Sequence, residues 1–352
     1  MTICYFGNYD SNYSRNHNLI KGLRQLGLEV LEINDSAPGP IKYFKLIGKH
    51  WQVRNQYDLM MVGFCGHFMM PLAWLLCRRP LIFDAHISLY EANVFQKKYC
   101  RPRSLRAMFY YLVDWLACFL SQAVLLDTSE HVNYFVRTFK FKKDKFLVVY
   151  NGVDSELFFP REKTSSDEFI IEFHAYATLL HGLEYILLAM KELANRGEAV
   201  KFLCVGSGSE YERAKQLTLE LQLTNIDFFP PLSPSELQEK IIAQVDLGLG
   251  IFGATAKVNR VIANKVYELM ACRVPVITAD SPAMRERFNH LSEVYFCSPA
   301  DSQSLAEAII TLKNDPELRQ RLADAAYDKI IDQCQPKHMA RQLIDGLKLR
   351  II

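Results

Sequence analysis

Short runs of apolar residues alternate along this chain with segments whose apolar positions recur at helical spacing. That alternation is expected of buried parallel strands covered by helices. In the first half it predicts strands at Thr2–Phe6, Leu28–Ile33, Leu59–Val62, Leu81–Phe83, Val124–Leu126 and Phe146–Val149, with helices such as Ser14–Leu26 and Ser104–Leu120 between them. In the second half it predicts strands at Phe169–Phe173, Lys201–Val205, Ile226–Phe229, Leu247–Ile251 and Val274–Thr278. Their helices include Leu183–Ala194, Glu210–Leu221, Ser235–Ala243, Lys265–Cys272 and Ser304–Leu312. Between the halves, Asn151–Glu168 carries Gly152, Pro160, mixed charge and Ser165-Ser166, which is linker chemistry.

The fold expected is therefore α/β: two doubly wound, Rossmann-like domains, residues 1–155 and 156–334, facing a central cleft. Residues 335–352, with Met339, Leu343, Ile344 and Leu347 at helical spacing, form a last amphipathic helix expected to pack back on the first domain. In such sheets ligands bind beyond the carboxyl ends of the strands.

Composition narrows the function classes. A chain of 352 residues with 50% hydrophobic and 23% charged residues is an ordinary folded protein. Its formal net charge of +2 marks no polyanion binder, so no nucleic-acid partner is expected. Nine scattered cysteines without a Cys-x-x-Cys pair suggest neither zinc nor a disulfide framework and fit a cytoplasmic setting. Leu59–Cys77 and Met108–Leu126 are apolar enough to need a membrane check. Each is interrupted, and they read as a strand then a helix and a helix then a strand.

The candidate chemistry lies in strand-to-helix turns. Leu179–Tyr185 holds His181 and Gly182 at a helix start, where phosphate is attracted, although Gly182 serves equally to make a tight turn. Val205–Glu210 runs through Gly206 and Gly208, which would let a base or phosphate approach the backbone. It lacks the third glycine of the dinucleotide fingerprint, as does the first turn, Gly7-Asn8-Tyr9-Asp10, so a nicotinamide enzyme is disfavoured. The third turn runs from Gly250 through Gly253, Lys257 and Arg260 to Asn264, Lys265, Val266 and Glu268. Asn264 reads as an N-cap and Glu268 as complementing the helix dipole. Lys257, Arg260 and Lys265 oppose that dipole unless an anion lies among them, and a nucleotide diphosphate is the natural anion. Glu268 is then placed to accept from ribose hydroxyls. No Asp-x-Asp pair occurs, so leaving-group stabilisation without a metal, and without any cofactor, is the expectation. In the first half, Asp84 and His86 follow a buried strand and are candidates to orient or deprotonate an acceptor hydroxyl; a capping carboxylate and a packed histidine explain them as well. Arg15 is a candidate for donor phosphates or an acidic acceptor, against the commoner case of an exposed helix-start arginine.

Together these segments resemble the family 4 retaining glycosyltransferases of GT-B fold, over nearly the whole chain. Val149–Asp154 with Phe158 and Pro160 is similar to the connection that precedes that family's donor domain. Val205-Gly206-Ser207-Gly208 is similar to its turn near the nucleotide base, and Tyr267–Cys272 with Val274–Ile277 to its donor-site helix and following strand. The resemblance implies retention, a nucleotide-diphosphate sugar donor, a glycan or lipid-linked acceptor, and Glu268 on the donor ribose. Three positions depart from the pattern: Arg260 stands where the family has its first glutamate, His181 where it has a phosphate-binding lysine, and Ala175 where it has an arginine. A non-catalytic nucleotide-sugar-binding subunit and a nucleotide-sugar epimerase of the same fold are the alternatives these departures leave open.

From Lys97 to Lys145 the chain holds ten Lys/Arg against four Asp/Glu, with Phe109, Tyr110, Tyr111, Trp115 and Phe119 among them. Such a surface suits peripheral contact with an anionic membrane, at its inner face. The competing reading, favoured by the need of Ser104–Leu120 to bury one face, places these aromatics in the core.

Overall fold

The computed structural model describes residues 1–163 and 168–350. Residues 164–167, which include Ser165 and Ser166 of the expected linker, and the last two residues of the predicted 335–352 segment lie outside them. The chain divides into two compact units, Met1–Gly152 with the segment from Gln335 onward, and Val153–Cys334.

The first unit is built on six parallel strands: β1 (Thr2–Gly7), β2 (Glu29–Asn34), β3 (Leu59–Val62), β4 (Leu81–Asp84), β5 (Ala123–Leu126) and β6 (Phe146–Val148), in the order β2-β1-β3-β4-β5-β6. Apart from the edge strand β2, whose Glu29 and Glu32 are exposed, these strands are buried on both faces or nearly so and read as short apolar runs, which is why their positions are legible in the sequence. On one face α1 (Ser14–Gln25) and the last helix of the chain (Pro336–Lys348) share a core of Leu19, Leu23, Met339 and Leu343. Their backbones touch: a Cβ on Gly22 would lie 1.9 Å from the Pro336 carbonyl oxygen. The other face carries α2 (Ile41–Val53), α3 (Met70–Leu76), α4 (Leu105–Leu120) and α5 (Ser129–Phe139), through Leu46, Ala73, Ala117 and Phe135.

α4 divides the aromatics between the two readings: Tyr111 and Trp115 pack, half-buried, against the core, while the others do not. Its fully buried residues are Ala107, Asp114, Ala117 and Cys118, while Phe109 and Phe119 are more than half exposed. The helix turns a small, polar side inward because Asp114 caps the segment beneath it. It accepts from Ser88 Oγ at 2.6 Å, the Leu89 amide at 3.0 Å and the Tyr90 amide at 2.9 Å. Its carboxyl is pushed up to about 7 by burial.

The second unit repeats the plan with β7 (Ile170–Tyr176), β8 (Lys201–Ser207), β9 (Ile226–Phe229), β10 (Leu247–Leu249), β11 (Val276–Ala279) and β12 (Tyr295–Cys297), all parallel, in the order β12-β11-β10-β7-β8-β9. The helices in order are α6 (Leu183–Asn195), α7 (Ser209–Glu220), α8 (Pro234–Lys240), α9 (Asn264–Ala271), α10 (Pro282–Arg285), α11 (Ser302–Asn314) and α12 (Pro316–Gln333), so the chain's last helix is α13. α6 and α11 cover one face through Leu187 and Ile309; α9 and α12 cover the other through Met270 and Ile330. The edge strand β12, three residues long, was not predicted, and β7 runs on from the expected Phe173 to Tyr176.

Strand order reverses between β1 and β3 in the first unit and between β7 and β10 in the second. In doubly wound sheets the ligand crevice opens at such switch points, beyond the carboxyl ends. Among the described residues, no helix is long and apolar enough to cross a membrane.

Candidate functional site

In the second unit the three predicted turns converge on the end of β7. The Phe252 and Gly253 amides donate to the His181 and Leu180 carbonyls at 3.1 Å each, and the Ala177 amide donates to Ser207 O at 2.7 Å. Packing this close demands glycine. A Cβ on Gly182 would stand 2.6 Å from the Gly253 nitrogen, and one on Gly206 would stand 1.9 Å from the Ala175 oxygen. Gly208 and Gly253 are equally hemmed, by Ala177 O and Leu179 O. These glycines build the turns; their geometry needs no ligand to explain it.

The cations are where the ligand argument rests. Lys257, on a short 3₁₀ turn, is only 8% exposed, Lys265 is 4% exposed, and Arg260 is half-buried. Lys265 rises from the first turn of α9 to set its Nζ 3.1 Å from the centroid of the Phe173 ring, and that ammonium makes no hydrogen bond within the described residues. Burial drives its pKa down to about 7, against the pull of Glu172, Cys204 and Glu268. An amine buried this deeply, met by the face of Phe173 and by no hydrogen-bond acceptor among the described residues, is a candidate to pair with an anion.

Two neighbours escaped the sequence reading. Glu172 is fully buried in β7, and His174 bridges it to Glu268, with Nδ1 3.1 Å from Glu172 and Nε2 2.9 Å from Glu268 Oε2. Burial opposes charge on the imidazole, but Glu172 and Glu268 outweigh it and raise its pKa to about 9. The signal was available. A glutamate and a histidine inside an otherwise apolar strand must find polar partners. Histidine protonation therefore stabilises the fold fully below its ordinary pKa of about 6.5, and this contribution is lost as pH rises through about 9. Glu268→Gln is expected to lower the His174 titration midpoint, read by NMR of the imidazole; an unmoved midpoint would contradict the bridge.

His181 is half-buried and neutral, held well below its ordinary pKa by burial and then by Lys265 and Lys257. Its Nδ1 accepts from the Thr178 amide at 3.0 Å, which fixes the proton on Nε2 and makes that nitrogen a donor.

Several sequence expectations are corrected. Asn264 is the first helical residue and Ala263 the cap, without a side-chain capping bond. Glu268 lies in the second turn of α9, beyond the reach of its N-terminal dipole. Val266 is fully buried in the core and its amide donates to Ala263 O, so it contributes packing. In the first unit Arg15 is 1% exposed rather than solvated. Its Nε lies 2.8 and 2.9 Å from the two Asp84 oxygens, and NH1 donates to Val149 O at 3.0 Å and Asn151 Oδ1 at 2.8 Å. Arg15 and Asp84 therefore staple α1 to the ends of β4 and β6. Asp84, fully buried and occupied by the guanidinium, has no access to an acceptor hydroxyl. His86 is nearly buried, with a left-handed backbone (φ 52°) and its Nε2 3.3 Å from the Tyr13 hydroxyl. Gly7 (φ 147°) turns the chain out of β1, and Asn8 spends its amide on the Asp35 carbonyl, fastening the turn to the end of β2.

Comparison with known proteins agrees with this architecture. The family model for "Glycosyl transferases group 1" matches residues 154–329, half of the chain. N-acetyl-alpha-D-glucosaminyl L-malate synthase of Bacillus anthracis is 24% identical over 203 residues, which cover 55% of this chain and 51% of that protein, so the match spans about half its length. An uncharacterized glycosyltransferase of Methanocaldococcus jannaschii is 20% identical across 84% of this chain and 76% of its own. Among solved structures, Anabaena HepE in complex with UDP and glucose superposes with a TM-score of 0.73 at 16% identity, over 99% of this chain and 100% of that one. Sucrose-phosphate synthase from Thermosynechococcus elongatus does so at 0.75 and 15%, over 99% and 98%. The fold is GT-B, and this chain belongs to the group 1 glycosyltransferases.

Proposed function

We propose that the protein transfers a hexose from a nucleotide-diphosphate sugar to a glycan or lipid-linked acceptor, with retention at the anomeric carbon and without a metal ion, in polysaccharide assembly on the cytoplasmic side of a membrane. The observation that carries this reading is the buried Lys265 amine, set on the Phe173 ring of β7 with no hydrogen-bond partner among the described residues. As the bond from the anomeric carbon to the β-phosphate breaks, negative charge develops on the diphosphate. Lys265, Lys257 and the Nε2–H of His181 are fixed donors and charges beside one another there, and preorganised positive groups act most strongly where charge appears. Glu268 keeps Oε2 on His174, leaving Oε1 to accept from a ribose hydroxyl. Gly206 and Gly208 shape the turn that follows β8, the strand beside β7. On the acceptor side His86, with Tyr13 orienting its ring, replaces Asp84 as the group to hold a hydroxyl.

The test is a panel of UDP-, GDP- and dTDP-sugars. One donor should release free nucleotide slowly alone and faster with acceptor, in the presence of a chelator, and the product should keep the donor's anomeric configuration. Tight nucleotide binding with no release would identify a non-catalytic subunit, a reading favoured by the neutral His181 at the family's lysine position. A new sugar isomer formed without acceptor would identify an epimerase.

A further inference from the structure

The first unit exposes far more apolar surface than its fold requires. Of 23 large hydrophobic side chains that stand exposed among the described residues, 15 lie between Ile41 and Phe119. They come from α2, α3, α4 and the segments beside them. Phe44 is 75% exposed, Trp51 63%, Trp74 53%, Leu75 72% and Leu105 87%. α3 packs beside both α2 and α4 on the same sheet face, and Phe68 stacks on Phe109 at 6.3 Å, so the outer sides of the three helices adjoin. Exposed apolar residues in the second unit are single and scattered. Monomeric proteins rarely expose a contiguous apolar patch of more than a few hundred Å² unless something covers it.

Charge says what covers it. Residues 41–54, 67–79 and 97–120 together hold eleven Lys/Arg and one acidic residue, Asp114, which is buried. The rest of the chain holds thirty Lys/Arg and thirty-eight Asp/Glu. The near-neutral total therefore hides a strongly cationic apolar face on an otherwise acidic molecule. Lys49 spends its charge on Asp35 at 3.0 Å, while Lys45, Arg78, Arg101 and Arg103 are exposed without a carboxylate within ion-pair distance. Arg54 lies 3.9 Å from the Trp51 ring centroid, an aromatic–cation pair suited to a boundary between hydrocarbon and phosphate.

We infer that the outer face of α2, α3 and α4 seats the protein on the surface of an anionic lipid bilayer, its Phe, Trp and Leu side chains entering the acyl boundary and its lysines and arginines meeting lipid phosphates. Among the described residues no helix is long and apolar enough to span, so the contact is interfacial. This surface is independent of the donor pocket, so its test reads binding and not transfer. The whole protein is sedimented with vesicles of phosphatidylcholine alone and of phosphatidylcholine with phosphatidylglycerol. It is expected to partition onto the anionic vesicles and to be released by salt. Lys45→Gln with Arg101→Gln should lower the partition coefficient about 25-fold, at about fivefold per cation. Phe44→Ser with Trp51→Ser should lower it at least tenfold. Circular dichroism and nucleotide affinity, read alongside, should match the unsubstituted protein, because all four side chains are exposed. Equal partitioning onto both vesicle types, or none onto either, would overturn the inference. So would a dimer in solution that Phe44→Ser with Trp51→Ser makes monomeric, since a second copy would then be what covers the face.

Discussion

Arg15→Met is expected to destabilise the first unit by about 3–5 kcal/mol, because it strands the Asp84 carboxylate in a site with no exposure and, among the described residues, no other cation in an ion pair with it. The guanidinium makes bonds to three partners contributed by different parts of the chain: Asp84 at the end of β4, the Val149 carbonyl after β6, and Asn151. Removing it takes a donor from each of the three. Replacing the pair together, Arg15→Met with Asp84→Leu, should recover much of the loss, since two charges then leave the interior at once. Chemical denaturation of the single and double variants checks this. A single variant within about 1 kcal/mol of the parent, yet defective in nucleotide binding, would return Arg15 to the donor site and undo the structural assignment.

The second large effect is at Lys265. Lys265→Met should weaken binding of a nucleotide-diphosphate sugar by roughly 1.5–3 kcal/mol, the range for a charge-assisted hydrogen bond, or about 10- to 150-fold in Kd. The same substitution should stabilise the unliganded fold. The lysine's pKa is near 7 in the folded chain and ordinary when unfolded, so between about pH 7 and 10.5 the unfolded chain binds more protons. Stability from this group therefore rises with pH across that window and is lowest below it. Methionine, with no charge to bury, removes the slope. A variant that binds worse and melts higher is the signature of a group kept for its ligand. A variant that melts lower with unchanged affinity would make Lys265 a structural cation packed on Phe173.

The layout of strands was legible because the inner strands are buried on both faces, and the apolar run survives without any knowledge of its neighbours; the edge strands β2 and β9, partly exposed, keep only shorter apolar stretches. The three turns of the second unit were legible because glycine and cations cluster there. What escaped depended on pairings distant in sequence. Arg15 and Asp84 are 69 residues apart, and a helix-start arginine reads as solvated until its partner is seen. Glu172 and His174 acquire meaning only when α9 delivers Glu268 to the end of β7. α4 misled for a different reason. Its aromatic content suggested a core helix, and Tyr111 and Trp115 do pack against the core, yet the residues it buries fully are an aspartate, two alanines and a cysteine, and Phe109 and Phe119 face outward. A helix apolar on most sides offers no periodicity from which to choose its inner face.

The central claim is that the crevice at the β7–β10 switch point takes up a pyrophosphate beside Lys265. Its most direct test is the number of protons taken up on binding. In an intact nucleotide sugar both phosphates are esterified and stay ionised, so near pH 8 any proton gained must come to the protein. Calorimetric titration in two buffers of different ionisation enthalpy should show uptake of most of one proton, as the anion restores Lys265 from its depressed pKa, and affinity falling as pH rises above about 7. Lys265→Met should bind weakly with no such uptake. Equal affinity and equal proton uptake in the two proteins would contradict the account.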